Sequence, residues 1–236
     1  MDLIFPTSYS GLSEEGLRYV CRLLHSDMPR DMVRCYALVR LSGGGPLPAD
    51  APLDEVSEQL AAHLDKADWL LLPPERPVRL TTMVLRTPER KRYAASYNAR
   101  MSGLPLERYL ALDNLFQGYL STRDEDLLWR MTLLLYEPLE GEAAADEDAP
   151  EEWQTNMLLW WSGLKKQLQR EFPLLFVPQE GEEEPSRERI QEAMDYMLLA
   201  LTGEDLTKER EVLAMDMRRA FTYLTRYIKK QSQRTA

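Results

Sequence analysis

The chain has 236 residues, 44% of them hydrophobic, enough to fill the core of one large domain or two small ones. Its 39 acids outnumber its 29 bases, giving a net charge of −10, and nucleic acid is a poor overall partner for such a surface because phosphates are held by clustered Lys and Arg. No apolar run approaches the roughly 20 residues of a membrane-crossing helix, and MDLIFPTSYS lacks a basic n-region and an extended apolar h-region, so a cytoplasmic protein without membrane contact is expected.

In LSEEGLRYVCRLL, Leu17, Val20, Cys21 and Leu24 recur at helical spacing behind Ser13, a residue suited to accept N–H bonds as an N-cap; a helix is predicted from Ser13 to His25. Met28 and Pro29 break it. A second helix is predicted over Asp31 to Leu41, with Val33, Ala37, Leu38 and Leu41 on one side, ending at Gly43, Gly44 and Gly45, where a positive φ costs little. The pair reads as an N-terminal helical hairpin over 1–45, followed by a main helical domain over 46–236; one continuous domain is the alternative.

GGGPLPADAP reads as a linker, and Leu53, Val56, Leu60 and Leu64 mark a third amphipathic helix after it. DWLLLPPERPVRLTTMVLRTP contains four prolines and an alternating run at Val78, Leu80, Thr82 and Val84, predicting irregular chain with one or two short strands. Helical periodicity returns between Leu104 and Tyr136: Leu106, Tyr109, Leu110, Asp113, Phe116 and Leu120 trace one face, and Thr122 with Glu125 suggests a capping box ahead of a second, nearly all-apolar helix.

Residues 137–152 carry eight acids and no base and read as a solvated loop or insertion. EEWQTNMLLWWSGLKKQLQREF has acids first and bases last, as the helix dipole favours, and predicts a long helix ending at Pro173. PLLFVP is a short connector, QEGEEEP a second acidic loop, and a helix is expected from Ser186 to Gly203. A last helix over Thr207 to Lys230 carries Leu213, Met217, Ala220, Leu224 and Tyr227 as its stripe, widened by Phe221 and Ile228. The fold class is therefore mainly α, a multi-helix orthogonal or bundle-like arrangement with at most one short β-ribbon.

Chemistry is sparsely marked. No nucleotide-binding glycine motif, HExxH, GxSxG or EF-hand pattern is present. Cys21 and Cys35, fourteen residues apart in apolar-periodic segments, read as free buried thiols, and His25 and His63 as helix-end groups. No catalytic residue, cofactor or metal site is expected. Asp113 is the one carboxylate worth singling out, because helical spacing sets it beside Tyr109 and near Phe116. Arg86, Arg90, Lys91, Arg92 and Arg100, interleaved with Tyr93 and Tyr97, form a basic patch that suits phosphate contact and stacking but equally a solvated surface offsetting the acidic loops. Trp153, Trp160 and Trp161 read as packing residues, at least one against a neighbouring element.

PTSYSGLSEEGLRYVCRLL, LDNLFQGYLSTRDEDLLWRMTLLLY and LLWWSGLKKQLQREFPLLF resemble stretches of proteins found in Bacteroidetes phage and prophage clusters. These are packing and capping patterns, so the resemblance transfers no functional residue; it implies a tail-assembly or virion-associated role. The lack of catalytic motifs joined to the Met-rich helices MDYMLLAL and VLAMDM predicts a non-catalytic accessory or assembly factor that binds a partner protein through apolar helix faces, and the resemblance implies that the partner is a phage tail protein. The candidate contact residues are Leu213, Met217, Phe221, Leu224 and Tyr227, although a stripe widened by Phe221 and Ile228 reads first as core packed against several neighbours in this same chain. A structural virion subunit is the alternative, an enzyme with a carboxylate-only site a third reading, and the sequence leaves the oligomeric state open.

Overall fold

The structure, a computed structural model, describes residues 4–42, 60–85, 91–139, 152–176 and 187–235. The fold is mainly α with a small three-stranded sheet, the class that the periodicity indicates. The chain divides into two compact units, Met1–Ala95 with Glu137–Leu164, and Ser96–Tyr136 with Lys165–Ala236. This replaces the boundary expected at residue 45. The N-terminal hairpin is no unit of its own, because Val20, Cys21, Val33 and Leu38 share one core with Ala67, Leu70, Leu80 and Leu159.

In the first unit, helix α1 (Glu14–His25) opens as predicted on Ser13, whose side chain accepts from the Gly16 N–H at 3.1 Å, and α2 (Arg30–Leu41) follows. The Gly-rich linker and most of the third helix expected at 53–64 lie outside the described residues. Residues 60 and 61 are helical, and a 3-10 segment (Leu64–Leu71) packs on α2, tied to it by the Arg34–Asp68 ion pair. Trp69 donates its indole N–H to the Pro6 carbonyl at 2.9 Å.

Strand β1 (Thr82–Val84) pairs antiparallel with β2 (Arg92–Ala95), Met83 opposite Tyr93, and β3 (Tyr136–Pro138) lies on the other side of β2. The alternation expected from Val78 to Val84 is one residue out of step within β1. Met83 and Leu85 are buried while Val84 is 37% exposed. Strand β2 falls in the segment read as basic surface, and β3 in what was read as helix end and acidic loop. Both are held by burial that the flanking charges conceal, of Tyr93 and Tyr136 respectively.

Helix α5 (Trp153–Glu171) begins with an unusual concentration of buried polar residues: Glu152, Gln154, Thr155 and Asn156 are all less than 9% exposed. Residues 140–151 of the acidic run are outside the described residues, but Glu152, its last member, is not a solvated charge. Arg18 and Arg22 of α1 pair with it at 3.1 and 3.4 Å. Three further hydrogen bonds fasten the same corner. The Leu80 N–H donates to Asn156 Oδ1 at 2.8 Å, the Thr81 N–H to Glu14 at 2.7 Å, and Arg18 to the Thr82 carbonyl at 2.7 Å.

In the second unit, α3 (Leu106–Thr122) ends at Arg123, in the left-handed region at φ 59°, and α4 (Glu125–Leu135) follows, giving the expected helix-turn-helix. The cap differs from expectation. Asp124, not Thr122, is the N-cap residue, accepting from the Asp126 N–H at 3.0 Å, while the Thr122 hydroxyl donates to the Gly118 carbonyl at 2.9 Å. Helix α6 (Arg187–Thr202) stops at Gly203, whose φ of 62° lets the chain turn away.

The single helix expected over 207–230 is instead a 3-10 turn (Leu206–Lys208), α7 (Glu209–Leu213) and α8 (Met217–Thr235). Backbone pairing with the entry to α3 causes the break. Leu106 N–H donates to the Met215 carbonyl at 2.8 Å and Met217 N–H to the Leu104 carbonyl at 2.9 Å. Asp216 sits between them, one carboxylate oxygen accepting from the Arg219 N–H and the other from the Gly103 N–H, both at 3.0 Å. A helical 214–216 would need those groups for its own ladder.

Two predictions follow from the first unit's geometry. Burial raises the Glu152 pKa, but the hydrogen bonds from Arg22 and Arg18 outweigh it and hold the carboxyl below its ordinary range. Its contribution is therefore complete above the unfolded-state carboxylate pKa and lost as pH falls through the lowered folded value. Glu152→Gln should cost about 2 kcal/mol at neutral pH in a urea titration, and the deficit should shrink on acidification. Gly163 gives the second test. Alanine in a helix interior ordinarily gains up to about 1 kcal/mol over glycine, but a Cβ here would stand 2.5 Å from the Arg76 carbonyl oxygen, a backbone atom. Gly163→Ala should therefore lower stability by about 1–3 kcal/mol.

Candidate functional site

Two places gather polar side chains against apolar walls. The first, around Glu152 and Cys21, is closed. Cys21 is fully buried, burial chiefly and the Glu152 charge secondarily push its thiol far up, and it is held as an inert protonated group. Cys35 is half-buried, and both cysteines are free. Trp153, Trp160 and Trp161 are all buried, and Arg79 lies over the Trp160 ring at 5.8 Å. His25 is exposed in the last turn of α1 and His63 is half-buried ahead of the 3-10 segment.

The second place, in the second unit, is an open cleft of about 450 Å³ walled by α3, the C-terminal part of α5, the 174–176 connector, α6 and α8. Its walls are mostly apolar and aromatic: Leu110, Phe176, Met197, Phe221 and Leu224 among them. Asp113 lies at this cleft, as the only carboxylate among the described residues that line it. Lys165 of α5 donates to Asp113 Oδ1 at 2.8 Å and approaches the Tyr109 hydroxyl at 3.5 Å. The ammonium also stands 5.2 Å from the centre of the Phe176 ring and 5.9 Å from that of Tyr109, so two aromatic faces and one carboxylate share its charge. Burial, and secondarily Asp113, push the Tyr109 hydroxyl well above its ordinary pKa, keeping it a neutral hydroxyl that can accept from the Lys165 ammonium.

The arrangement is a neutral ion pair at one side of an apolar cleft. It can orient the polar end of a bound group while the walls take up apolar surface. Paired-acid catalysis needs a second carboxylate, and the described lining supplies none. The sequence singled out Asp113 through its spacing from Tyr109 but missed Lys165, whose place in the run LKKQ was absorbed by the helix-dipole reading. Its position four residues after buried Trp161 is the signal that sets it on the packed face.

The C-terminal stripe splits. Met217, Ala220, Phe221 and Leu224 are buried in the second unit's own core, with Phe221 edge-on to Tyr109, Phe172 and Phe176 at centroid distances of 5.1, 5.6 and 5.4 Å. Met217 and Phe221 are thus packing residues rather than free surface. Leu213 is only half-buried, and Val212 takes the core position, because the break at 214–216 rotates α7 out of phase with α8. Tyr227, 36% exposed, reaches the cleft rim.

Of the basic patch, Arg86 and Arg90 are outside the described residues, Arg92 and Arg100 are exposed and Lys91 is half-buried. Its aromatics are engaged: Tyr93 is buried, and Tyr97 accepts a hydrogen bond from Arg108 at 3.0 Å. Among the described residues no group of three or more His, Cys, Asp or Glu is placed to hold a metal ion, and no helix is long and apolar enough to cross a membrane. No family model, curated protein or solved structure matches this chain.

The division of α8 into core and rim is measurable. Leu224→Ala should cost about 2–5 kcal/mol in chemical unfolding, through lost burial and a residual cavity. Tyr227→Ala, one turn further on, should stay within about 0.5–1 kcal/mol of the parent.

Proposed function

We propose that this chain is a non-catalytic, protein-binding accessory factor in the assembly of a phage-like tail, and that it engages its partner at the rim of the second unit's cleft. The observation that carries the binding reading is the set of large apolar side chains left in solvent on α6 and α8. Tyr196 and Leu199 of α6, and Tyr223 and Tyr227 of α8, are each at least 36% exposed. Isolated exposed apolar residues need no explanation, but Tyr196 and Tyr227 both line the cleft, and exposed tyrosines at a cleft are the usual mark of an interaction surface. The phage setting rests on the sequence resemblance. Half-buried Met194 and Met197 line the same cleft and supply adaptable apolar surface.

The test is affinity purification of the tagged full chain from its native host, paired with light scattering on the isolated protein. The reading expects a monomer or dimer that retrieves tail or other virion proteins, with retrieval lost in Tyr196→Asp combined with Tyr227→Asp while the melting temperature is kept. Closed rings or extended polymers of the isolated chain would replace it with a structural virion subunit.

A further inference from the structure

Helix α8 holds six of the chain's 29 bases and none of its 39 acids, a concentration that the overall charge does not foreshadow. On its solvent side Arg219, Tyr223, Arg226 and Lys230 recur at spacings of four, three and four. They form one exposed stripe roughly 16 Å long at 1.5 Å per residue. Arg226, Lys229 and Lys230 make no ion pair among the described residues, although the rest of the chain holds 39 acids to 23 bases, the 29 of the whole less the six of α8.

The helix dipole accounts for only part of this. Bases in the last turns are favoured, but Arg218 and Arg219 sit in the first turn, where the helix dipole opposes a positive charge. Arg218 is compensated by its ion pair with Glu171 and a hydrogen bond to the Arg100 carbonyl. Among the described residues Arg219 makes no such ion pair, Glu211 acting on it only at longer range, and its guanidinium lies 5.8 Å from the centre of the exposed Tyr223 ring. Alongside the stripe runs a second concavity of about 420 Å³, floored by Val212, Met215 and Leu224 and edged by Arg219 and Tyr223.

We infer that this stripe and its concavity form a docking surface for an acidic protein segment that carries apolar side chains between its carboxylates. The inference rests on the protein-binding reading and specifies the partner's chemistry. Charge complementarity selects the occupant: carboxylates at helical spacing face Arg219, Arg226 and Lys230 in register, while an apolar side chain enters the concavity. A uniform polyanion fits less well. Glu211 lines the same concavity and would repel a continuous phosphate chain, whereas a peptide can place an apolar residue there.

The probe is a fluorescein-labelled synthetic helix with Glu at four-three-four spacing and Leu between, titrated with the full chain and read by anisotropy. Binding should weaken with added salt and fall about tenfold or more in Arg226→Glu combined with Lys230→Glu. That variant should melt as the parent does, since neither residue makes an ion pair among the described residues, and should bind the Lys-for-Glu version of the peptide instead. No binding, equal binding by the reversed variant, or tighter binding of single-stranded DNA or phosphatidylserine vesicles than of the peptide would overturn the inference. In the host purification, a charge-reversed bait that retrieves the same proteins as the parent overturns this inference alone. A parent bait that retrieves none removes the reading beneath it, whatever the peptide does.

Discussion

The first unit depends on taking one carboxylate out of water. A buried, ionised Glu152 is tolerable only with its oxygens paired, and the pairing fixes more than itself, because Arg18 and Arg22 lie one turn apart on α1. The same turn of α5 offers Asn156 to the Leu80 N–H, so the residues entering β1 are tied to both helices. From there the proline-rich chain runs back along α5. Leu80 meets Asn156, Arg79 covers Trp160, and the Arg76 carbonyl abuts Gly163, contacts at 156, 160 and 163 that share one helix face. An extended segment can lie this close only where its N–H groups find side-chain acceptors and the helix omits a Cβ. That is why an asparagine opens the contact and a glycine closes it.

These dependencies explain what the sequence did and did not reveal. Periodicity located α1, α2, the helix-turn-helix of α3 and α4, α5 and α6, because the first five present buried apolar residues to a core and several termini carry ordinary cap or stop chemistry: Ser13, Gly203 and the residues around Asp124. It failed at Glu152, since a carboxylate at the end of eight acids has the composition of a solvated loop, and only three-dimensional proximity to Arg18 and Arg22 distinguishes it from its neighbours. Strand β2 was hidden for the related reason that three residues of RYAA are indifferent to sheet, and pairing with β1 supplies the decision.

The break between α7 and α8 was missed for a different reason. Apolar spacing continues through 213 and 217, so a helical reading is locally consistent. The competing structure lies at Leu104 and Leu106, more than a hundred residues earlier, where backbone groups take up those of Met215 and Met217. Asp216 is the one local sign, since it is poorly suited to a helix interior and well suited to a cap.

The cleft shows a comparable division between local and long-range information. Asp113 was legible as a carboxylate on an apolar face, but its meaning depends on Lys165, on a helix fifty residues away in sequence. An ion pair with both side chains about a quarter exposed adds little stability of its own, and apolar residues of the same volume would fill the site as well or better. What the pair contributes is direction. Lys165 is fixed by Asp113 and by the Tyr109 and Phe176 rings, which sets one oriented charged pair in a cleft whose walls are mostly apolar. On the protein-binding reading, an incoming side chain that buries a polar group away from that side leaves it unsatisfied, at a cost of about 1–3 kcal/mol. Apolar walls alone would reward any hydrophobic segment, and on that same reading the pair is the feature by which the cleft would discriminate among them.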